Sequence, residues 1–208
     1  MRQPACGKLV VISGPMFSGK TSRLMEFLER EYLAGNRTVL FKPDIDNRYA
    51  GEASVDASNG LDIATGHVYS HKHVRMPAHP ISMDESASET MRELAGDAKA
   101  IGIDEAQFFG ADARLADLLD EFASQGRSVY LSVLNRDHRG NSFGQSAEFL
   151  SSADVIYSLT AVCAKCKSDN ATFTQRVVDG KEVFGELIQV GGKDSYEPRC
   201  RACFVSGR

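Results

Sequence analysis

The sequence predicts an α/β fold: a mostly parallel sheet flanked by helices, followed by a small cysteine-pinned module. Three observations predict it. Short apolar runs alternate with helical patterns from Lys8 to about residue 160. The run Gly14-Pro15-Met16-Phe17-Ser18-Gly19-Lys20-Thr21 reads G-x-x-x-x-G-K-T and falls between an expected strand and an expected helix. Four of the 5 cysteines stand as Cys163-x-x-Cys166 and Cys200-x-x-Cys203.

Each element follows from local pattern. Lys8 to Ser13 is a buried strand by its apolar run, and the glycine-containing turn follows. Residues 21–34 carry a helical repeat with Leu24, Phe27, Leu28 and Tyr32 on one broad face, and Gly35 is a natural stop. Thr38 to Phe41 is a short β-rich run. Residues 43–82 are rich in Gly, Ser, Asn, Asp and Pro, which predicts loop with short strands. Helices are expected over Met83–Ala95, over Ala111–Ala123 with Leu115, Leu118, Leu119 and Phe122 on one face, and over Ser142–Leu150. Strands are expected at Ala100–Ile103, Ser128–Leu134 and Val155–Val162. The expected division is a nucleotide-binding domain over residues 1–160 and a cysteine module over 161–208.

Composition removes several classes. Hydrophobic residues make up 42% and charged residues 25%, so the chain can bury a core and is not a disordered tract. The formal charge of −4 argues against non-specific nucleic-acid binding, which needs basic surface. No apolar run approaches the roughly 20 residues of a membrane span. Leu9 to Ile12 is too short for a secretory signal core, so a cytoplasmic location is expected.

The glycine-containing turn carries the first piece of chemistry. Successive backbone N–H groups face inward there, and the following helix adds the positive end of its dipole. Gly14 and Gly19 let the backbone approach phosphate oxygens; Lys20 would reach the β- and γ-phosphates, and the Thr21 hydroxyl would hold Mg²⁺. The expected ligand is a nucleoside triphosphate, and the expected fold is of the P-loop NTPase type. Asp104 and Glu105 end the apolar run at Ile101–Ile103. Asp104 is the second Mg²⁺ ligand expected of such a site. Glu105 would activate a water in an ATPase or accept a hydroxyl proton in a kinase. A binding module that turns over slowly stays open at this point.

The cysteine pairs suit a tetrahedral metal site. Each C-x-x-C turn supplies two thiolates, and Cys163, Cys166, Cys200 and Cys203 close the shell around zinc. With no position left for water, such a zinc is structural. Lys165, Lys167, Arg199 and Arg201 help offset its negative charge.

Several segments then resemble one family. They are GPMFSGKT at 14–21, FKPDIDNRY at 41–49, GIDEAQFF at 102–109, LNRDHRGNSFG at 134–144, LTAVCAKC at 159–166 and VGGKDSYEPRCRAC at 190–203. In order and spacing they are similar to the type II thymidine kinases, the zinc-containing cytosolic and bacterial enzymes. The resemblance implies transfer of the ATP γ-phosphoryl group to the 5′-hydroxyl of thymidine, in pyrimidine salvage for DNA synthesis. It implies Glu105 as base, Asp46 and Arg48 on a loop near the phosphates, and Gln107 near the nucleotide. Met16, Phe108, Leu134 and Phe143 would wall the thymine pocket, with His138 at its border. Leu187, Ile188, Gln189, Val190 and Gly191, with Tyr196, match a "lasso" loop that reads the base through main-chain groups, and Thr174 matches a position facing the base. A homotetramer and feedback inhibition by dTTP are further implications.

Three positions depart from the family pattern. Ser58 stands where His is usual, Asn135 where Asp is common, and His138 where an aromatic, usually Phe, borders the substrate. A deoxynucleoside kinase of shifted specificity is therefore the nearest rival. A charged imidazole at 138 would repel bound nucleoside, so affinity is expected to fall below about pH 6.5.

Overall fold

The computed structural model describes residues 7–44, 66–69, 75–185 and 195–207. Among them a seven-stranded sheet forms the centre. Its strands are β1 (Lys8–Gly14), β2 (Thr38–Pro43), β3 (Gly66–Tyr69), β4 (Arg75–Ile81), β5 (Ala100–Ile103), β6 (Ser128–Leu134) and β7 (Val155–Ser158). The order is β3-β4-β2-β5-β6-β1-β7, and every neighbouring pair is parallel except β3 with β4. Helices α1 (Lys20–Leu33), α2 (Ala87–Ala95), α3 (Leu115–Ser124) and α4 (Ser146–Ser152) flank it.

Both faces of the sheet are covered, which is why β1, β5 and β6 read as continuous apolar runs. On one face Leu24, Met25 and Leu28 of α1 pack on Val10, Ile12, Leu40 and Tyr130. On the other, Met91 of α2 and Leu115, Leu118, Leu119 and Phe122 of α3 pack on Leu9, Val11, Ile101, Ile103 and Leu131. The broad face expected for α1 is narrower than its sequence suggests. Tyr32 is exposed, and Met25 takes a buried place instead.

Several boundaries move for local reasons. Helix α2 starts at Ala87 rather than Met83, because the Asp84 carboxylate accepts from the Ser86 N–H at 2.8 Å and builds a turn first. The segment 111–123 is broken at Arg114, whose φ of 46° separates a 3₁₀ turn at Ala111–Ala113 from α3. Helix α4 starts at Ser146, because Ser142 bridges Arg136 and Gly144 has φ 52°. Strand β7 stops at Ser158, and Ala161 bridges Ala171 beyond it. Strands β3 and β4 are short strands within residues 43–82, as expected there, and β4 carries Pro77 and Pro80, which lack a donor for the ladder. It nonetheless pairs with β2 through Phe41 opposite His79 and Pro43 opposite Ile81.

The cysteine region contains a second, antiparallel sheet. Its strands are β8 (Phe173–Val178), β9 (Lys181–Glu182) and β10 (Ser195–Arg199), in the order β10-β8-β9. No helix of the described residues is long and apolar enough to cross a membrane.

Candidate active site

Strand β1 ends at Gly14 and α1 begins at Lys20, so the intervening residues wrap around the helix N-terminus. Gly19 has φ 84°, a left-handed conformation that an L side chain would strain. Lys20 is buried, and its Nζ donates to the Pro15 carbonyl at 2.9 Å. The Thr21 hydroxyl donates to the Asp104 carboxylate, 3.2 Å from either oxygen. These two groups are hard oxygen donors already in contact, which suits a small divalent cation.

Parallel pairing of β5 and β6 with β1 brings the C-terminal ends of these strands to the same sheet edge as the loop. Asp104 and Glu105 follow β5 directly and are 2% and 7% exposed. Glu105 has φ 51°, unusual for a residue with a Cβ, and is held there from two sides. Its backbone N–H donates to the Ser132 hydroxyl at 3.2 Å, and its carboxylate accepts from Gln107 Nε2 at 2.5 Å. Gln107 is anchored in turn, because its Oε1 accepts from the Leu134 N–H at 2.9 Å. Met16, Phe17, Gly19, Lys20, Thr21, Ser22 and Glu105 line one cleft. A carboxylate thus faces the place where the loop would hold phosphate.

Several residues expected to wall the base pocket lie close to Gln107, the partner of this carboxylate. Phe108 and Phe143 meet edge to face at 5.5 Å, and both are half-buried. Gly144 allows the approach: a Cβ there would lie 2.2 Å from the Gln107 carbonyl oxygen. Leu134 is buried and joined to Gln107 as described. Thr174 lies on β8, and its hydroxyl accepts from the Met16 N–H at 3.0 Å, so the second sheet touches the phosphate loop directly. Tyr196 stands opposite Arg176 in the β8–β10 pairing. Asp46, Arg48 and Leu187, Ile188, Gln189, Val190 and Gly191 lie outside the described residues, as does Ser58.

His138 is buried, and its Nε2 has no hydrogen-bond partner. Burial pushes its imidazole below the ordinary value of 6.5, helped by Arg139 and Arg176 and opposed by Asp137 and a hydrogen bond to the Gly185 backbone. The loss of affinity expected from the sequence therefore shifts to more acid conditions. The sign for stability follows. Below pH 6.5 the unfolded chain takes up this proton before the folded one, so stability falls with pH and levels off once the folded imidazole is charged. His138→Phe should lose less Tm than the parent between about pH 7 and pH 5. Equal losses in both proteins would remove His138 as the source.

The four cysteine sulfurs lie within 4.8 Å of one another, and Cys166 Sγ and Cys200 Sγ are 3.7 Å apart. A tetrahedron with Zn–S bonds of about 2.3 Å has edges of about 3.8 Å, so the donor set fits a structural metal such as zinc. Burial opposes ionisation of the Cys163 thiol, yet the N–H groups of Cys166, Cys200 and Lys165 bring it down to about 6. Contact with Cys200 and burial push Cys203 up to about 12. The first turn is tied to β10 by the Ala164 N–H donating to the Pro198 carbonyl at 2.8 Å.

Sequence reasoning missed Ser132. Its one signal was a small hydroxyl in the middle of the buried run SVYLSVL.

The loop, the lysine and the paired carboxylates share one end of a covered, mostly parallel sheet, and that arrangement defines a protein of the P-loop NTPase type. The thymidine kinase family profile matches residues 7–204. The thymidine kinase of Thermococcus kodakarensis is 42% identical over 199 residues, covering 94% of this chain and 92% of that protein. The thymidine kinase of Pyrobaculum aerophilum is 39% identical over 199 residues, covering 95% and 98%. The chain belongs to the thymidine kinase family.

Proposed function

We propose that the protein transfers the γ-phosphoryl group of ATP to the 5′-hydroxyl of thymidine. The observation that carries this reading is Glu105, buried, lining one cleft with Lys20 and Thr21, and fixed by Gln107 at 2.5 Å. A base held this firmly suits a positioned hydroxyl better than a mobile water. The backbone of residues 14–19 and Lys20 would cradle the triphosphate. Thr21 and Asp104 would hold Mg²⁺, which supplies neutralisation of the phosphate charge when bound. Glu105 would accept the 5′-hydroxyl proton as the oxygen attacks phosphorus and ADP leaves.

Met16, Phe108, Leu134 and Phe143 would enclose the base, with His138 at the border and Tyr196 near the sugar. The Thr174 hydroxyl accepts from the Met16 N–H, which docks the cysteine module of residues 161–208 on the domain of residues 1–160, and its O–H stays able to donate to the base it would face. Zinc in the Cys163, Cys166, Cys200 and Cys203 site would keep that module folded. Asp46, Arg48 and residues 187–191 retain the roles the family resemblance implies, and dTTP and tetramer formation belong to the same reading.

The test is ADP release from Mg·ATP with thymidine, deoxyuridine, deoxycytidine and purine deoxynucleosides, against a control without nucleoside. Stimulation by thymidine well above the others is expected. Preference for another nucleoside would transfer the specificity to His138 and its surroundings. ATP binding without stimulation by any of them would make the protein a nucleotide-binding module.

A further inference from the structure

We propose that Ser132 is a positioning residue for the reaction, acting through Asp104 and Glu105 together; the proposal rests on the phosphotransferase reading of this site. Ser132 is fully buried on β6, the strand between the one that carries the carboxylates and the one that feeds the phosphate loop. Ile103 pairs with Leu131, which sets Ser132 level with Asp104, and Ile12 pairs with Ser132 on the other side. Its neighbours in β6, Leu131 and Val133, belong to the apolar core. A hydroxyl at this depth costs free energy unless it is paired.

Both of its hydrogen-bonding capacities are used at the site. The Ser132 hydroxyl donates to Asp104 Oδ1 and accepts from the Glu105 backbone N–H at 3.2 Å. One atom therefore fixes the rotation of the Asp104 carboxylate and the left-handed backbone at Glu105, where φ is 51°. Thr21 meets the same carboxylate from the helix side. With Ser132 holding Oδ1 from within the sheet, the carboxylate is fixed in the orientation that puts both of its oxygens 3.2 Å from the Thr21 hydroxyl. Partners of this kind, one bond behind a ligand, set its orientation and commonly account for roughly 10–100-fold in metal affinity. The bond to the Glu105 N–H does the equivalent for the base, since a shift of about 1 Å in a reacting group costs on the order of 10²-fold in rate.

The experiment compares Ser132→Ala, Ser132→Cys and Ser132→Thr in the full-length chain. Three quantities are read: ATP affinity in EDTA and again with Mg²⁺, kcat and KM for nucleoside, and Tm. Ser132→Ala is expected to bind ATP in EDTA as the parent does, and to lose roughly tenfold of the affinity gained on adding Mg²⁺. Its kcat should fall on the order of 10²-fold with KM little changed. Ser132→Thr, which keeps the hydroxyl, should recover most of both, and Ser132→Cys, a weaker donor of similar size, should fall between. A full Mg²⁺ gain and parental kcat in Ser132→Ala would overturn the proposal. So would a loss shared equally by EDTA binding, Mg²⁺ binding and Tm across all three variants, because that is the signature of a packing role. If the parent transfers phosphate to no nucleoside, the functional reading fails, while the ATP measurements with and without Mg²⁺ still report on Ser132.

Discussion

Glu105→Gln should bind ATP as the parent does and lose about 10²–10⁴-fold in kcat, the usual contribution of a general base. The substitution is close to isosteric, so the left-handed backbone and the bond from the Glu105 N–H to Ser132 should persist. The amide oxygen can still accept from Gln107 Nε2, so the neighbouring pocket wall should hold its place. What disappears is the capacity to take a proton. The expected pattern is a large fall in kcat, a nearly unchanged KM for nucleoside and an unchanged dissociation constant for ATP. Single-turnover transfer measured beside equilibrium ATP binding separates these quantities. A kcat within about twofold of the parent would take the role of base away from Glu105.

Removal of the metal from the four-cysteine site should be as costly. Metal analysis is expected to find one zinc per chain in the parent and much less in Cys200→Ser. Cys200 belongs to a small buried cluster with Ala161, Cys163 and Ala171, too few apolar contacts to hold the β8–β10 sheet in place alone. Structural zinc contributes folding free energy directly, about 10–16 kcal/mol of apparent binding in small zinc peptides at neutral pH. The consequence should reach the phosphate loop through the Thr174 hydroxyl on the Met16 N–H. Chelation should lower Tm and abolish nucleoside-dependent ADP release, while isolated ATP binding persists in part. Full transfer by protein shown to contain no metal would defeat this account.

These two expectations differ in how visible their basis was beforehand. Lys20, Thr21, Asp104 and Glu105 stand in short contiguous motifs whose geometry is local: a turn, a helix start and a strand end. The cysteine pairs are equally local, each two-thiol turn being closed by its own backbone bonds, as where the Cys203 N–H donates to the Cys200 carbonyl. Short strands were expected within residues 43–82, but with Pro77 and Pro80 in it the place of β4 is set only by its pairing with β2 and β3. The second sheet was hidden, because neither the β8 run FTQRVV nor the β10 run SYEPR shows the alternation of a half-buried strand. Thr174, Gln175 and Arg176 are all buried, so neither face of β8 reads as a core face.

The Gly14–Thr21 turn, the Asp104-Glu105 pair, the four-sulfur site and the alternating α/β order are legible in the amino-acid sequence, because each depends on neighbours a few residues apart. Tertiary structure alone decided what those groups touch. Thr174 reaches Met16 across 158 positions, and Ser132 reaches Glu105 across 27 and Asp104 across 28. Those contacts exist because parallel pairing sets β1, β5 and β6 in one register, and because β8, paired with β10, lies against the loop. Both conditions are long-range, and no short window of sequence carries them.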